Sequence, residues 1–429
     1  MREQKQILPP RFVIEEVLKE MTDFIRTPAS ENILATSFKT RAANIVELTE
    51  AQRAEFQARI ETAITGKVYP AYQKLIDYFR EILPKTTTAD GVWKLPDDYA
   101  YCLHENATTT LNPDQVHELG LREVARIEDQ MRAILDANGF VGQPIGEAMD
   151  KLAKDPRFLF PNDDKGRTDA LARYTDLIGK ATARSSKDLF LTTPRAKIEV
   201  RRVPEFKEAI APGAYYQPGA MDGSRPGIFF ANLRDMNEVP KWSMPTLAYH
   251  EGVPGHHWQI SIAKELKGVP QFRKVISFTA YMEGWAFYCE WLAKQAGWYD
   301  NDPFGDLGRL RDELFRAVRL VVDTGIHAKR WTREQAIAYM REKTGMGEKE
   351  VKSEIERYIV APGQACAYKI GMLKIQELRA RAEKELGEKF DQREFHDAVL
   401  KNGALPLEIL EEQVDHYVQR KKDLGPNAR

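Results

Sequence analysis

Apolar residues recur at helical spacing through most of this chain, and that periodicity restricts the fold to packed helices with at most a small sheet. Val13, Val17, Leu18, Met21, Phe24 and Ile25 form one stripe in VIEEVLKEMTDFIR, the pattern of a core-facing helix. Thr49 is placed to cap a second helical stretch, residues 49–83, in which Pro70 predicts a kink. NPDQ opens a helix over 113–138 with proline in its first turn and NGF at its end, and further helices are expected at 144–154 and 163–185. Between 190 and 235 the texture changes. AKIEVRRV alternates apolar and polar residues, while GAYYQPG and GIFFANL are β-rich and flank the turn cluster MDGSRPG, so a small antiparallel sheet is expected. Helical spacing resumes at 243, with no low-complexity tract and no fixed-period repeat. Near the end, LRARAEKELGEKF reads as a solvated helix face, and His396 as a cap or core histidine.

Composition narrows the partners. Lys plus Arg number 63 and Asp plus Glu 64 in 429 residues, a formal charge of -1, so no global field favours nucleic acid. The 3 cysteines, Cys102, Cys289 and Cys366, lie far apart and suit buried thiols better than a disulfide framework. No run approaches the ~20 apolar residues of a membrane span. The N-terminal MREQKQILPPRFVIEEVLKEM lacks the apolar core of a signal peptide, so a cytoplasmic location is expected from the chain as given, or a periplasmic or lipoprotein one if a leader has been lost.

Residues 249–259, YHEGVPGHHWQ, carry the clearest chemistry. His250 and Glu251 begin like H-E-x-x-H, in which two histidines one helical turn apart share a zinc ion and the glutamate polarises a water. Here the fifth position is Pro254, and the next histidines are 256 and 257. On a straight helix His256 would sit ~240° round from His250, and His257 ~10.5 Å along the axis, so neither could join it at one ion. Pro254 cannot donate to the carbonyl of His250, while Gly252 and Gly255 permit a loop. A looped insertion of two residues selects His256, and one of three selects His257; the glycine directly before it favours His256.

A third protein ligand is required, and YMEGWAFYCEW supplies Glu283, with Glu290 two turns further along the same helix face. A His, His, Glu set suits one zinc ion better than other divalent metals.

HEGVPGHHWQ, EGWAFYCEW, DTGIHAKRW and YIVAPGQACAYKIG, in this order, resemble the bacterial family called domain of unknown function 885, grouped with gluzincin-type zinc metallopeptidases. The similarity runs through most of the chain. It implies a helical metallopeptidase-like fold with a deep cleft, similar in plan to the angiotensin-converting-enzyme and carboxypeptidase Taq groups. It further implies His250, His256 and Glu283 as metal ligands and Glu251 as general base. The two-residue insertion departs from the wider clan and leaves His257 as the alternative ligand. Active sites of that kind use a tyrosine or histidine as oxyanion donor, for which Tyr368, Tyr358 and His327 are candidates.

Substrate contacts are sought in Arg225, Tyr215 and Arg319, with Arg316 beside the last, since arginine can clamp a substrate carboxylate. GIFFANL is a candidate edge strand for pairing with an extended peptide. The expected organisation is an N-terminal helical part, 1–185, forming one cleft wall and a catalytic part, 186–429, in one continuous unit. The leading functional expectation is a zinc metallopeptidase acting on peptides or short oligopeptides. A zinc hydrolase of a non-peptide amide or ester and a catalytically silent helical binding protein are the alternatives.

Overall fold

The computed structural model describes residues 3–5, 7–86, 90–92, 98–208 and 211–423. Its contacts divide the chain into two compact units, Met1–Asp90 and Gly91–Arg429. Residues 91–185 thus share a unit with the histidines, and the division falls well before residue 185.

In the first unit, α1 (Arg11–Arg26) packs on α4 (Tyr69–Ile82), and α2 (Ile33–Ala43) on α3 (Glu50–Ala63). Thr49 and Gln52 form a reciprocal capping box at the start of α3. Between α3 and α4 the backbone widens into a π-turn, Ile64–Val68, directly before Pro70, which lacks the N–H that regular helix would use there.

The second unit is helical around a mixed sheet. Its first helices are α5 (Asp98–Ala107), α6 (Pro113–Ala137), α7 (Ile145–Ala153) and α8 (Asp164–Arg184), α6 starting from a capping box of Asn112 and Gln115. Strand β1 (Ile198–Arg202), the short α9 (Glu205–Glu208), β2 (Ala214–Gln217) and β3 (Gly227–Ala231) follow. The sheet order is β1-β3-β2, with β1 parallel and β2 antiparallel to β3. The sheet is therefore mixed, because the chain crosses over between β1 and β3. GIFFANL supplies the central strand, and β2 carries an edge instead. Its burial explains the placement: four of the residues Gly227, Ile228, Phe229, Phe230 and Ala231 are fully buried, as a strand covered on both faces requires.

The remaining helices are α10 (Met244–Leu247), α11 (His256–Glu265), α12 (Thr279–Gln295), α13 (Pro303–His327), α14 (Arg333–Thr344), α15 (Glu348–Val360), α16 (Ala367–Leu386), α17 (Gln392–Leu400) and α18 (Leu407–Asp423). The long α13 is buried over most of its surface and packs along α6. Helices α12 and α16 cross at glycines: a Cβ on Gly284 would lie 2.5 Å from the Gly371 backbone, and one on Gly371 would lie 1.9 Å from the Ala280 carbonyl oxygen. Lys369, wholly buried on α16, joins the helices electrostatically through Glu123 on α6 (2.9 Å) and Glu313 on α13 (2.7 Å). Buried charges of this kind are tolerated when paired. Among the described residues no helix is long and apolar enough to cross a membrane.

Candidate metal centre

The insertion in YHEGVPGHHWQ lies between two helical segments, not within one. After α10 the backbone widens into a π-turn, Ala248–Gly252, leaves the helix at Val253, and restarts as α11 with His256 as its first residue. The Gly255 N–H donates to the Tyr249 carbonyl at 2.9 Å, which closes the loop. Glycine is needed there because a Cβ would lie 1.8 Å from the His250 carbonyl oxygen. The Pro254 carbonyl accepts from the Trp285 indole at 3.0 Å and the Cys289 thiol at 3.3 Å, so α12 fixes the loop from outside. Cys289 and Cys366 are buried free thiols, and Cys102 is partly buried.

This loop brings the His250 and His256 rings to 4.9 Å between centroids, nearly perpendicular. Their Nε2 atoms lie 3.5 and 3.6 Å from one carboxylate oxygen, Oε2 of Glu283 on α12. These separations are long for hydrogen bonds. They match the edge of a tetrahedron whose arms are zinc bonds of ~2.0–2.2 Å, an edge of roughly 3.3–3.6 Å. Potential ligand atoms of His250, Glu251 and His256 also lie within 4.8 Å of one another. The residues present fit a zinc ion.

His250 is oriented from behind by Glu290, whose Oε1 lies 2.7 Å from Nδ1. That bond keeps a proton on Nδ1 and aims Nε2 towards Glu283, as in metal-binding histidines whose other ring nitrogen donates to a carboxylate. Burial opposes an imidazolium at His250, but Glu283 and Glu290 on its two nitrogens outweigh it and raise the pKa to about 10. Burial lifts the Glu290 carboxyl to about 7 against the pull of His250. Burial also works against the Glu283 carboxylate, yet the His256 and His250 rings hold its pKa well below the usual range. The cluster thus favours added positive charge.

Glu251 is held by a backbone group. Its Oε2 accepts from the Tyr216 N–H on β2 at 3.0 Å. The Tyr216 hydroxyl in turn lies 2.9 Å from Nδ1 of His257. It has room because residue 227 is glycine: a Cβ there would lie 2.3 Å from that hydroxyl. His257 therefore points to the sheet, away from His250, and burial pushes its pKa down to about 4. The alternative ligand is displaced because neighbours on a helix point ~100° apart.

The other expected residues divide sharply. Tyr368, at the start of α16, is half-buried, packs edge-on against Phe287 (6.2 Å) and makes no hydrogen bond to a described residue. Phe287 in turn packs on His250 at 5.0 Å. Tyr358 is fully buried, donates to Glu354 at 2.5 Å and accepts from Arg319 at 2.8 Å, so its hydroxyl is committed elsewhere. His327 is also committed: Nδ1 accepts from the Val92 N–H at 3.2 Å and Nε2 lies 3.0 Å from the Tyr358 carbonyl. Arg225 donates to the Pro218 carbonyl at 2.8 Å and braces the β2–β3 turn. Tyr215 stacks on Phe230 at 5.0 Å across the same strands. His396 is a core histidine, bonded to the Leu189 carbonyl at 2.7 Å and the Tyr288 hydroxyl at 2.8 Å. The contribution of Tyr216 was invisible in the sequence, since it acts through a backbone N–H that every residue but proline carries.

One family, described as a bacterial protein of unknown function (DUF885), matches residues 1–414. The chain belongs to DUF885. A crystal structure of a candidate lipoprotein from Colwellia psychrerythraea is similar to this DUF885 chain with a TM-score of 0.94 and 42% identity, covering 98% of this chain and 72% of that one. A structure of a candidate lipoprotein of unknown function from Shewanella oneidensis shares the fold, with a TM-score of 0.71 at 19% identity, covering 92% of this chain and 72% of that one. No curated protein matches the chain.

Proposed function

We propose that this DUF885 protein is a zinc-dependent hydrolase, a metallopeptidase acting on peptides or short oligopeptides. The observation that carries the reading is the convergence of His250 Nε2 and His256 Nε2 on Glu283 Oε2, at 3.5 and 3.6 Å. Zinc, when bound, supplies a Lewis acid for a substrate carbonyl and for the attacking water. Glu251 takes the proton of that water on its carboxylate and delivers it to the leaving amine nitrogen, held in place by the Tyr216 N–H. Tyr368, with an uncommitted hydroxyl one ring from His250, is the remaining candidate for the oxyanion donor. An extended peptide laid on the outer edge of β2 would reach Glu251 through the strand that already holds it. The relatives' description as candidate lipoproteins favours a periplasmic or lipid-anchored location.

The test is the metal content of protein purified without chelator, with His250→Ala and Glu251→Gln compared. About one zinc per chain is expected in the wild type and in Glu251→Gln, and none in His250→Ala. Peptide-pool hydrolysis should be abolished in Glu251→Gln although its zinc is retained. Failure of the wild type to hold zinc, even after reconstitution, would return the protein to the class of helical binding proteins.

A further inference from the structure

Two arginines on α13 stand beside the cluster with donor atoms that no described residue uses. Arg316 makes no hydrogen bond or ion pair with a described residue, and its Nε is buried without a partner. Its guanidinium lies 4.5 Å over the Phe287 ring and 4.8 Å over Phe315. Phe287 touches the His250 ring at 5.0 Å, so a single aromatic ring separates this cation from the candidate metal ligand. Arg319, one turn further along, is only 5% exposed. It donates through Nε to Tyr358 and through Nη2 to Glu354, while Nη1 is buried with no partner. Its guanidinium covers the other contacts of the same patch, Phe315 at 4.2 Å and Tyr368 at 4.8 Å.

A buried guanidinium donor without an acceptor is costly, and cation–π contacts satisfy the charge without satisfying the N–H groups. The nearby carboxylates do not fill the gap. Glu354 is taken by Arg319, Arg357 and Tyr358, and Glu290 gives Oε1 to His250; its Oε2 is buried without a partner and makes no hydrogen bond or ion pair with Arg316. The planar fork of arginine matches a carboxylate, and its position one ring from His250 sets the ligand beside the zinc site. We infer that Arg316, with the spare Nη1 of Arg319, forms a carboxylate-binding subsite that holds the substrate within about two or three extended residues of the scissile bond. The placement relative to the scissile bond rests on the zinc-hydrolase reading; the carboxylate site does not. A C-terminal carboxylate and an acidic side chain share this chemistry.

Three peptides separate these sources: N-acetyl-trialanine, its C-terminal amide, and N-acetyl-Ala-Glu-Ala amide. Each is titrated calorimetrically into zinc-loaded Glu251→Gln protein, in which the ligands survive. At least a tenfold preference for one carboxylate peptide over trialanine amide is expected, the free acid identifying C-terminal recognition and the glutamyl amide identifying side-chain recognition. Arg316→Gln should erase the preference with zinc content and melting temperature unchanged, and Arg316→Lys, which keeps the charge but not the fork, should retain part of it. Equal binding of all three peptides, binding of none, or a preference that survives Arg316→Gln would overturn the subsite. Should Arg316→Gln fail to fold, Arg316→Lys carries the test, and undiminished preference there overturns the proposal. Zinc is assayed on the same samples. Its absence would sink the hydrolase reading, and the titration of metal-free protein would still decide the subsite.

Discussion

At the scale of single residues, Pro254 decides which of two adjacent histidines faces His250. By ending one helical segment and letting another start at 256, it places His256 in the first position of α11 and sends His257 towards β2. The two side chains are thus neighbours in sequence with unrelated work. Replacing His256 with alanine should lower zinc affinity more than ~100-fold with a modest change in melting temperature. Replacing His257 with alanine should do the reverse: zinc binding within several-fold of wild type, and stability lower by roughly 2–4 kcal/mol through the lost buried volume and the stranded Tyr216 hydroxyl. Zinc titration and urea denaturation of the pair check this. Equal loss of zinc in both would mean that His257 is a ligand.

At the scale of elements, the site depends on how closely α12 and α16 approach. Gly371 lets the Ala280 carbonyl pass where a Cβ would lie 1.9 Å away, and both sides of that contact are backbone, so no flexible side chain can yield. Gly371→Ala should therefore push the helices apart, destabilising the fold by about 1–3 kcal/mol, and should weaken zinc binding because Glu283 rides on α12. Unchanged denaturation and unchanged zinc affinity would show that Glu283 is positioned by something other than this crossing. The helices themselves were legible from local signals: capping boxes at Thr49 and Asn112, proline at 113, and the break before Pro70 all act within a few residues. The pairing of β1 with β3 was not, since parallel strands meet through a crossover whose partner no local pattern names. The nearly continuous apolar run of GIFFA did contain the clue to a central strand, and reading it as an edge missed what burial on both faces demands. Likewise the His250, His256 and Glu283 spacing could be reasoned along the chain. The commitment of Tyr358 to Arg319 on α13, and of His327 to Val92, could not, because each is set by a partner on another element or a distant stretch.

At the scale of the second unit, stability is tied to keeping histidine neutral in the core. His396 joins three elements: its Nδ1 donates to the Leu189 carbonyl, its Nε2 accepts from Tyr288 on α12, and the Tyr288 hydroxyl accepts from Arg379 on α16 at 2.9 Å. With both nitrogens engaged in this way, the neutral ring fits and an imidazolium does not. Burial, aided by the Arg379 charge, pushes its pKa from 6.5 down to about 3, although the Leu189 carbonyl pulls the other way. A folded-state pKa below the unfolded value means that the unfolded chain binds the proton first as acid is added. The stabilisation from the neutral ring is complete above pH 6.5 and is lost progressively as pH falls towards 3. His396→Gln, which has no proton to take up, should be less stable than wild type at pH 7 because it packs worse and bonds less well. The gap should then narrow by roughly 2–3 kcal/mol between pH 6.5 and pH 4.5, since only the wild type carries this proton-linked loss. Urea denaturation of both proteins at the two pH values measures it, and a gap that stays constant would show that His396 takes up its proton as readily in the folded protein as in the unfolded chain, with Nε2 then donating to the Tyr288 hydroxyl.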